Sequence, residues 1–172
     1  MHLLFVCTGN TCRSPMAAFF ARAQIQERQL PWTVESAGLH AAGGMPMTPA
    51  AADALTRRRV PLAPHQSQPL TDDLVARADI ILVMTRGQLE DLVARFPQAK
   101  GKVHLLGSFA GGTAKEAAEA LPDSTADRAP STRGCDIVDP FGGSDEHYEA
   151  CADQIARSVE GLVNHLLGET RP

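Results

Sequence analysis

A chain of 172 residues with 44% apolar residues supplies one sizeable core, which excludes disordered, collagen-like and repeat architectures. Sixteen Lys plus Arg against twenty Asp plus Glu give a net charge of −4. No overall positive field therefore draws the chain to nucleic acid or an anionic membrane, and any anion site has to be local.

In chain order, Leu3 to Val6 is a short apolar run that ends at Thr8-Gly9-Asn10, the pattern of a buried strand entering a loop. A helix follows, with Ser14 as its expected N-cap, Pro15 in its first turn, and Met16, Phe19, Phe20 and Ala23 recurring on one face. Alternation from Trp32 to Glu35 predicts a second strand closed by Ser36-Ala37-Gly38, and Thr48-Pro49 opens an alanine-rich helix to about Arg58. Leu70 to Leu74 reads as a capped helical turn, and Asp79 to Met84 as the clearest fully buried strand. Gln88 to Phe96 predicts a helix, Lys102 to Leu106 a strand, and Ser144 to Leu167 a long final helix. Residues 111–134 have little core signal and are expected to form an extended loop with one helical piece near Ala114 to Leu121.

The alternation β-α-β-α-β-α-β-α predicts a single α/β domain over 1–172. It is a three-layer sandwich with a four-stranded parallel sheet, whose ligands bind beyond the carboxyl ends of the strands. Cys7 sits at such an end. The apolar run at Leu3 is too short for a signal peptide, and the longest apolar run, near Ile81, is far below the ~20 residues of a membrane span. A cytoplasmic location with no membrane partner is expected. The four cysteines, Cys7, Cys12, Cys135 and Cys151, then matter as thiols rather than bridges.

The run Cys7-Thr8-Gly9-Asn10-Thr11-Cys12-Arg13-Ser14 places an arginine six positions after a cysteine, with a hydroxyl next, between a strand and a helix. Such a loop points successive backbone N–H groups inward and forms a nest for a phosphate or another oxyanion. Gly9 permits the turn, and Arg13 adds a planar two-pronged donor. Nest, helix dipole and arginine all favour the Cys7 thiolate, a nucleophile under the phosphorus. The bland reading of Cys7 is a small buried residue ending a core strand. Arg13 beside a helix N-terminus, where the dipole repels cations, needs an anion to explain it. A leaving group requires a proton, and Val138-Asp139-Pro140-Phe141 offers Asp139 as the acid with Phe141 as an apolar wall; an Asp-Pro pair alone is often only a turn.

These residues resemble the low-molecular-weight protein tyrosine phosphatases, and within them the bacterial protein-arginine phosphatases. The resemblance runs nearly end to end, through Val6 to Ala17, Ser36-Ala37-Gly38, His65 with Ser67, Pro69-Leu70-Thr71, Ala78-Asp79, Met84-Thr85, Lys102-Val103 and Asp139 to Ser144. It implies that Cys7 attacks phosphorus to form a cysteinyl-phosphate that water then hydrolyses, without metal or other cofactor, on a phosphorylated protein. Arg13 holds the transferring group. Asp139 protonates the leaving group and then activates water, Ser14 hydrogen-bonds the thiolate and Asn10 braces the loop. The residues expected around the substrate are Thr8, Gly9, Asn10, Thr11, Cys12, Arg13, Ser14 and Phe141.

The subfamily reading rests on two features. Thr11 stands where tyrosine-specific relatives usually carry a bulkier aliphatic residue, and Phe141-Gly142-Gly143 replaces the tyrosines of their acid loop. A small hydroxyl residue leaves room and a polar contact for a guanidinium group. Phosphoarginine is the expected substrate and phosphotyrosine the alternative. Arsenate reduction is a remote third, because Met84 to Phe96 holds no relay cysteine, although Cys135 precedes the acid loop. A non-catalytic phosphoprotein-binding module would not need Cys7 and Asp139. Cys12 invites a redox reading as a trap for an oxidised Cys7. Gln88 stands where relatives often carry histidine after the Met-Thr pair, and it is expected not to touch the nest. None of the six histidines has ligand spacing, and His65 reads as a structural hydrogen-bonder.

Overall fold

The computed structural model describes residues 1–111 and 135–169; residues 112–134, with the helical piece expected near Ala114 to Leu121, lie outside the described residues. Four strands, β1 (His2–Cys7), β2 (Thr33–Gly38), β3 (Ile80–Val83) and β4 (Val103–Leu105), form one parallel sheet in the order β2-β1-β3-β4. The central strand β1 has neighbours on both edges and layers on both faces, so Leu3, Leu4, Phe5 and Val6 are all fully buried.

Pleating divides β1 between two cores. Leu3, Phe5 and Cys7 pack with α1 (Arg13–Glu27), α2 (Pro49–Arg57) and α5 (Asp145–Glu169). Leu4 and Val6 pack on the other face with α3 (Asp72–Arg77) and α4 (Arg86–Arg95). The expected three-layer sandwich is the observed architecture. A short 3₁₀ segment, Leu106–Gly111, follows β4 and carries Phe109 into the first core. No helix among the described residues is long and apolar enough to cross a membrane.

Two local expectations shift. Helix α1 is capped by Cys12 and already includes Ser14, so Ser14 is not the N-cap; its buried hydroxyl has partners elsewhere. Strand β2 does not stop at Glu35, because Ser36, Ala37 and Gly38 pair in register with Phe5, Val6 and Cys7. The polar and small residues that look like a strand terminator are its buried end, set against the loop after β1.

His104 on β4 is buried, and its Nδ1 has no hydrogen-bond partner among the described residues. Burial and the neighbouring His165 push its imidazole from 6.5 down to about 4. The unfolded chain takes up this proton near 6.5 and the folded chain only near 4, so stability is complete above 6.5 and declines as pH falls from 6.5 through 4. The full difference is on the order of 3 kcal/mol. Urea midpoints recorded between pH 7.5 and 4.5 should therefore fall more steeply for the parent than for His104→Gln, whatever the variant's own baseline.

Candidate active site

The chain has five residues, Thr8 to Cys12, in which to turn from the end of β1 into the start of α1. The turn closes on the Cys7 side chain, whose sulfur accepts the Asn10 N–H at 3.2 Å. This requires Asn10 to adopt a left-handed backbone, φ 56°, which asparagine tolerates better than most residues. Helix α1 begins at once, with no side chain capping its N-terminus, so its first N–H groups face the same hollow as the sulfur.

Asn10 and Ser14 are fully buried and stand behind the hollow rather than lining it. Asn10 Nδ2 donates to Ser14 Oγ at 2.9 Å and to Ser36 Oγ at 3.0 Å, and Asn10 Oδ1 accepts the Gln68 N–H at 3.0 Å. Since Ser14 Oγ receives a hydrogen from Asn10, its own hydrogen is left for Cys7 Sγ at 3.0 Å or the Ala37 carbonyl at 3.3 Å. The contact to the sulfur is the shorter of the two. His65, the expected structural hydrogen-bonder, holds the Asn10 carbonyl through Nε2 at 2.8 Å.

Gly38 admits the loop against the end of β2. A Cβ there would stand 2.7 Å from the Thr8 carbonyl oxygen and 3.0 Å from the Asn10 nitrogen. Thr8 O in turn accepts the His40 N–H at 2.9 Å, and Thr11 O accepts the Thr48 N–H at 2.9 Å. Cys12 is buried on the other side of the loop, its sulfur 3.6 Å from Tyr148 Oη. Burial pushes the Cys151 thiol up to about 12, so it stays protonated.

Arg13 is buried, with its charge met from the far end of the sequence: NH1 donates to the Ile137 carbonyl at 3.1 Å, and NH2 pairs with Asp139 Oδ2. A guanidinium carries five donors, so these two contacts do not exhaust it. The half-exposed Asp139 also accepts the Phe141 N–H on Oδ1 at 3.2 Å, a turn that sets the phenyl ring beside it, 72% exposed. The structure thus brings Cys7, Thr8, Gly9, Thr11, Cys12, Arg13, Asp139 and Phe141 onto one cavity of about 310 Å³, with Leu39's neighbours His40, Ala41 and Ala42 completing the wall.

A second hollow of about 560 Å³ adjoins it and shares Thr8, Arg13, His40 and Asp139. Gln88 lies in its wall and does touch the nest loop, contrary to expectation: Nε2 donates to Thr8 Oγ1 at 3.1 Å. The contact arises because α4 starts at Arg86 rather than Gln88, with Thr85 as N-cap accepting the Gln88 N–H, which turns the Gln88 side chain back over the end of β1. Ser36, Gln68 and Gln88 support the loop; the sequence pattern gives Ser36 and Gln88 no role there and does not mark Gln68. Ser36 and Gln88 are polar residues buried beside strand ends, a signal visible only with the sheet order in hand.

Asn10→Ala leaves two hydroxyls and the Gln68 N–H without their buried partner. It also puts alanine in a left-handed backbone. Unfolding free energy should drop by ~2–4 kcal/mol, measured by urea titration. A loss below 0.5 kcal/mol would show that the loop does not depend on this side chain.

With this geometry in place, the relatives are informative. Residues 2–171 match the family described as low molecular weight phosphotyrosine protein phosphatase. A protein-arginine-phosphatase from Geobacillus stearothermophilus is 37% identical over 168 residues, 97% of each chain. Among solved structures, the YwlE arginine phosphatase, in a cysteine-to-serine mutant with a phosphorylated active-site serine, superposes with TM-score 0.81 at 31% identity over 99% of both chains. A low molecular weight phosphotyrosine phosphatase from Vibrio cholerae gives TM-score 0.83 at 27% identity, also over 99% of both chains. The family match spans nearly the whole chain, and the chain belongs to the low molecular weight phosphotyrosine protein phosphatase family.

Proposed function

We propose that this phosphatase hydrolyses phosphoarginine in proteins, with Cys7 as nucleophile, Arg13 as the clamp on the phosphoryl group and Asp139 as acid and then base. The observation that carries the reading is the shared cavity: the Cys7 sulfur, the Arg13 guanidinium and the Asp139 carboxyl border one hollow, with Thr11 as a small polar wall. In the first step Cys7 Sγ bonds to phosphorus as the P–N bond breaks, and Asp139 delivers its proton to the departing guanidine nitrogen. In the second, a water gives its proton to Asp139 while its oxygen displaces sulfur. Inorganic phosphate leaves, and Cys7 returns as thiolate. The reduced thiol that this chemistry needs suits a reducing compartment such as the cytoplasm.

The specificity argument is steric and polar. Thr11 is half-buried at the rim, short enough to leave a planar, hydrogen-bonding group room beside the nest. Phe141 is followed by Gly142 at φ 75° and by Gly143, so the wall opposite is one ring on a glycine hinge rather than an aromatic pair. The resemblance to a protein-arginine-phosphatase at 37% identity supports the same substrate.

Two measurements test the proposal. The ratio of kcat/KM for a phosphoarginine peptide to that for a phosphotyrosine peptide should favour phosphoarginine, with Cys7→Ser as the inactive blank, and Thr11→Ile should abolish or invert the preference. A parent that prefers phosphotyrosine refutes the substrate. Asp139→Asn should cost more on phosphoarginine than on an activated aryl phosphate, since a guanidine, with a pKa above ~12, leaves less readily than a phenol near ~10. Equal losses would remove Asp139 from the role of acid.

A further inference from the structure

Thr8 is the residue between the nucleophile and the turn, and it lies at the junction of both cavities with its side chain exposed to them. Its carbonyl is held by the His40 N–H, so its peptide has little freedom. Its hydroxyl oxygen accepts a hydrogen from Gln88 Nε2 at 3.1 Å. The orientation of that amide is not arbitrary. Gln88 Oε1 lies 3.0 Å from the Met84 nitrogen, a group that only donates, so the NH₂ end has to face Thr8. Gln88 is itself buried, at 7% exposure, and both ends of its amide are satisfied.

The direction of these two bonds sets the polarity of a third. A hydroxyl has one hydrogen, and Gln88 Nε2 cannot accept it. We propose that Gln88 is a positioning residue that makes the Thr8 hydroxyl a hydrogen-bond donor toward the phosphoryl group bound above Cys7. In a phosphorylated guanidine headgroup the phosphoryl oxygens are the acceptors, so a donor on this rim reads the group that every turnover shares. The amide does not titrate, and the assignment holds across the whole working range of pH. A histidine at position 88 would exchange donor for acceptor near neutrality. The inference rests on the phosphatase reading above.

The test is a double-mutant cycle read as competitive inhibition by inorganic phosphate during hydrolysis of an activated aryl phosphate, and as direct phosphate binding by calorimetry in a Cys7→Ser background. Gln88→Glu keeps the size and the acceptor for Met84 N–H but presents a second acceptor to Thr8, which turns the hydroxyl hydrogen away from the pocket. Gln88→Leu removes both bonds but, like the amide, offers Thr8 no acceptor. Gln88→Glu should weaken phosphate ~tenfold more in the parent than in Thr8→Val, where no hydroxyl remains to turn and only the charge acts, and in the parent Gln88→Leu should weaken it less than Gln88→Glu. Thr8→Ser should retain the parent's sensitivity. Equal losses in both Thr8 backgrounds would mean that position 88 acts through charge or packing, and no loss in the parent would mean that Thr8 is not oriented by it; either overturns the inference. A parent without Cys7-dependent hydrolysis would instead refute the phosphatase reading on which it stands. With hydrolysis present and coupling absent, only the role of Gln88 falls.

Discussion

The active site depends on a single tight constraint: five residues have to carry the chain around one sulfur atom, from the end of a buried parallel strand into a helix. The Asn10 N–H donated to Cys7 Sγ closes that turn, and the left-handed backbone of Asn10 is its geometric cost. Everything packed behind the loop stabilises this one conformation. Ser14, Ser36, Gln68 and His65 together occupy both ends of the Asn10 side chain and its carbonyl. A buried network of this kind is costly if half satisfied and rigid if complete. Here it is complete around Asn10, so the donors of the nest are fixed before any phosphoryl group arrives, which is the condition for electrostatic stabilisation without reorganisation.

Arg13 poses the opposite problem. It is a buried cation at a helix N-terminus, where the dipole opposes it, and such a charge is retained only with close compensation. The compensation comes from Ile137 O and Asp139, both on the acid loop. The same pair therefore ties the loop to the nest and holds the Asp139 carboxyl at the cavity that Cys7 borders. In the proposed mechanism, a phosphoryl group entering the cavity gives Arg13 a second anionic partner and frees the Asp139 carboxyl for the leaving group. The placement of the loop and the placement of the Asp139 carboxyl are two consequences of one ion pair.

Much of this was legible from residue types. The apolar run at Leu3, the Gly9 turn and the sequence from Cys7 to Ser14 identify strand, loop and helix and the chemistry between them, because local pattern decides each. What escaped was set by tertiary context. Ser14 has the side chain of an N-cap, yet the helix starts at Arg13, two residues before an N-cap at Ser14 would place it, and the Ser14 hydroxyl serves Asn10 and Cys7 instead. Ser36 and Gly38 look like a strand end, yet β1 pairs with them throughout. Asn10 and Ser14 were expected around the substrate, but the left-handed turn at Asn10 and the inclusion of Ser14 in α1 point both side chains into the protein.

The turn from β3 into α4 shows why sequence distance hides such connections. Met84 O accepts the Ile137 N–H at 2.8 Å, and Asp136 accepts the Arg86 N–H at 2.9 Å, so the stem of the acid loop docks on this turn. Met84 N–H and Gln88 connect the same turn to Thr8 in the nest. Parallel pairing of β1 with β3 places the carboxyl ends of both strands side by side, and the residues that follow them are then the natural junction between the Cys7 loop and the Asp139 loop. Cys7 and Asp139 lie far apart in the chain, but each is anchored within one or two hydrogen bonds of Met84. The placement of the Cys7 sulfur and that of the Asp139 carboxyl are thus both referred to one turn, so their spacing depends on the same few hydrogen bonds rather than on the position of either relative to the core. The chemistry needs the first quantity held more tightly than the second, and a shared anchor is the arrangement that holds it.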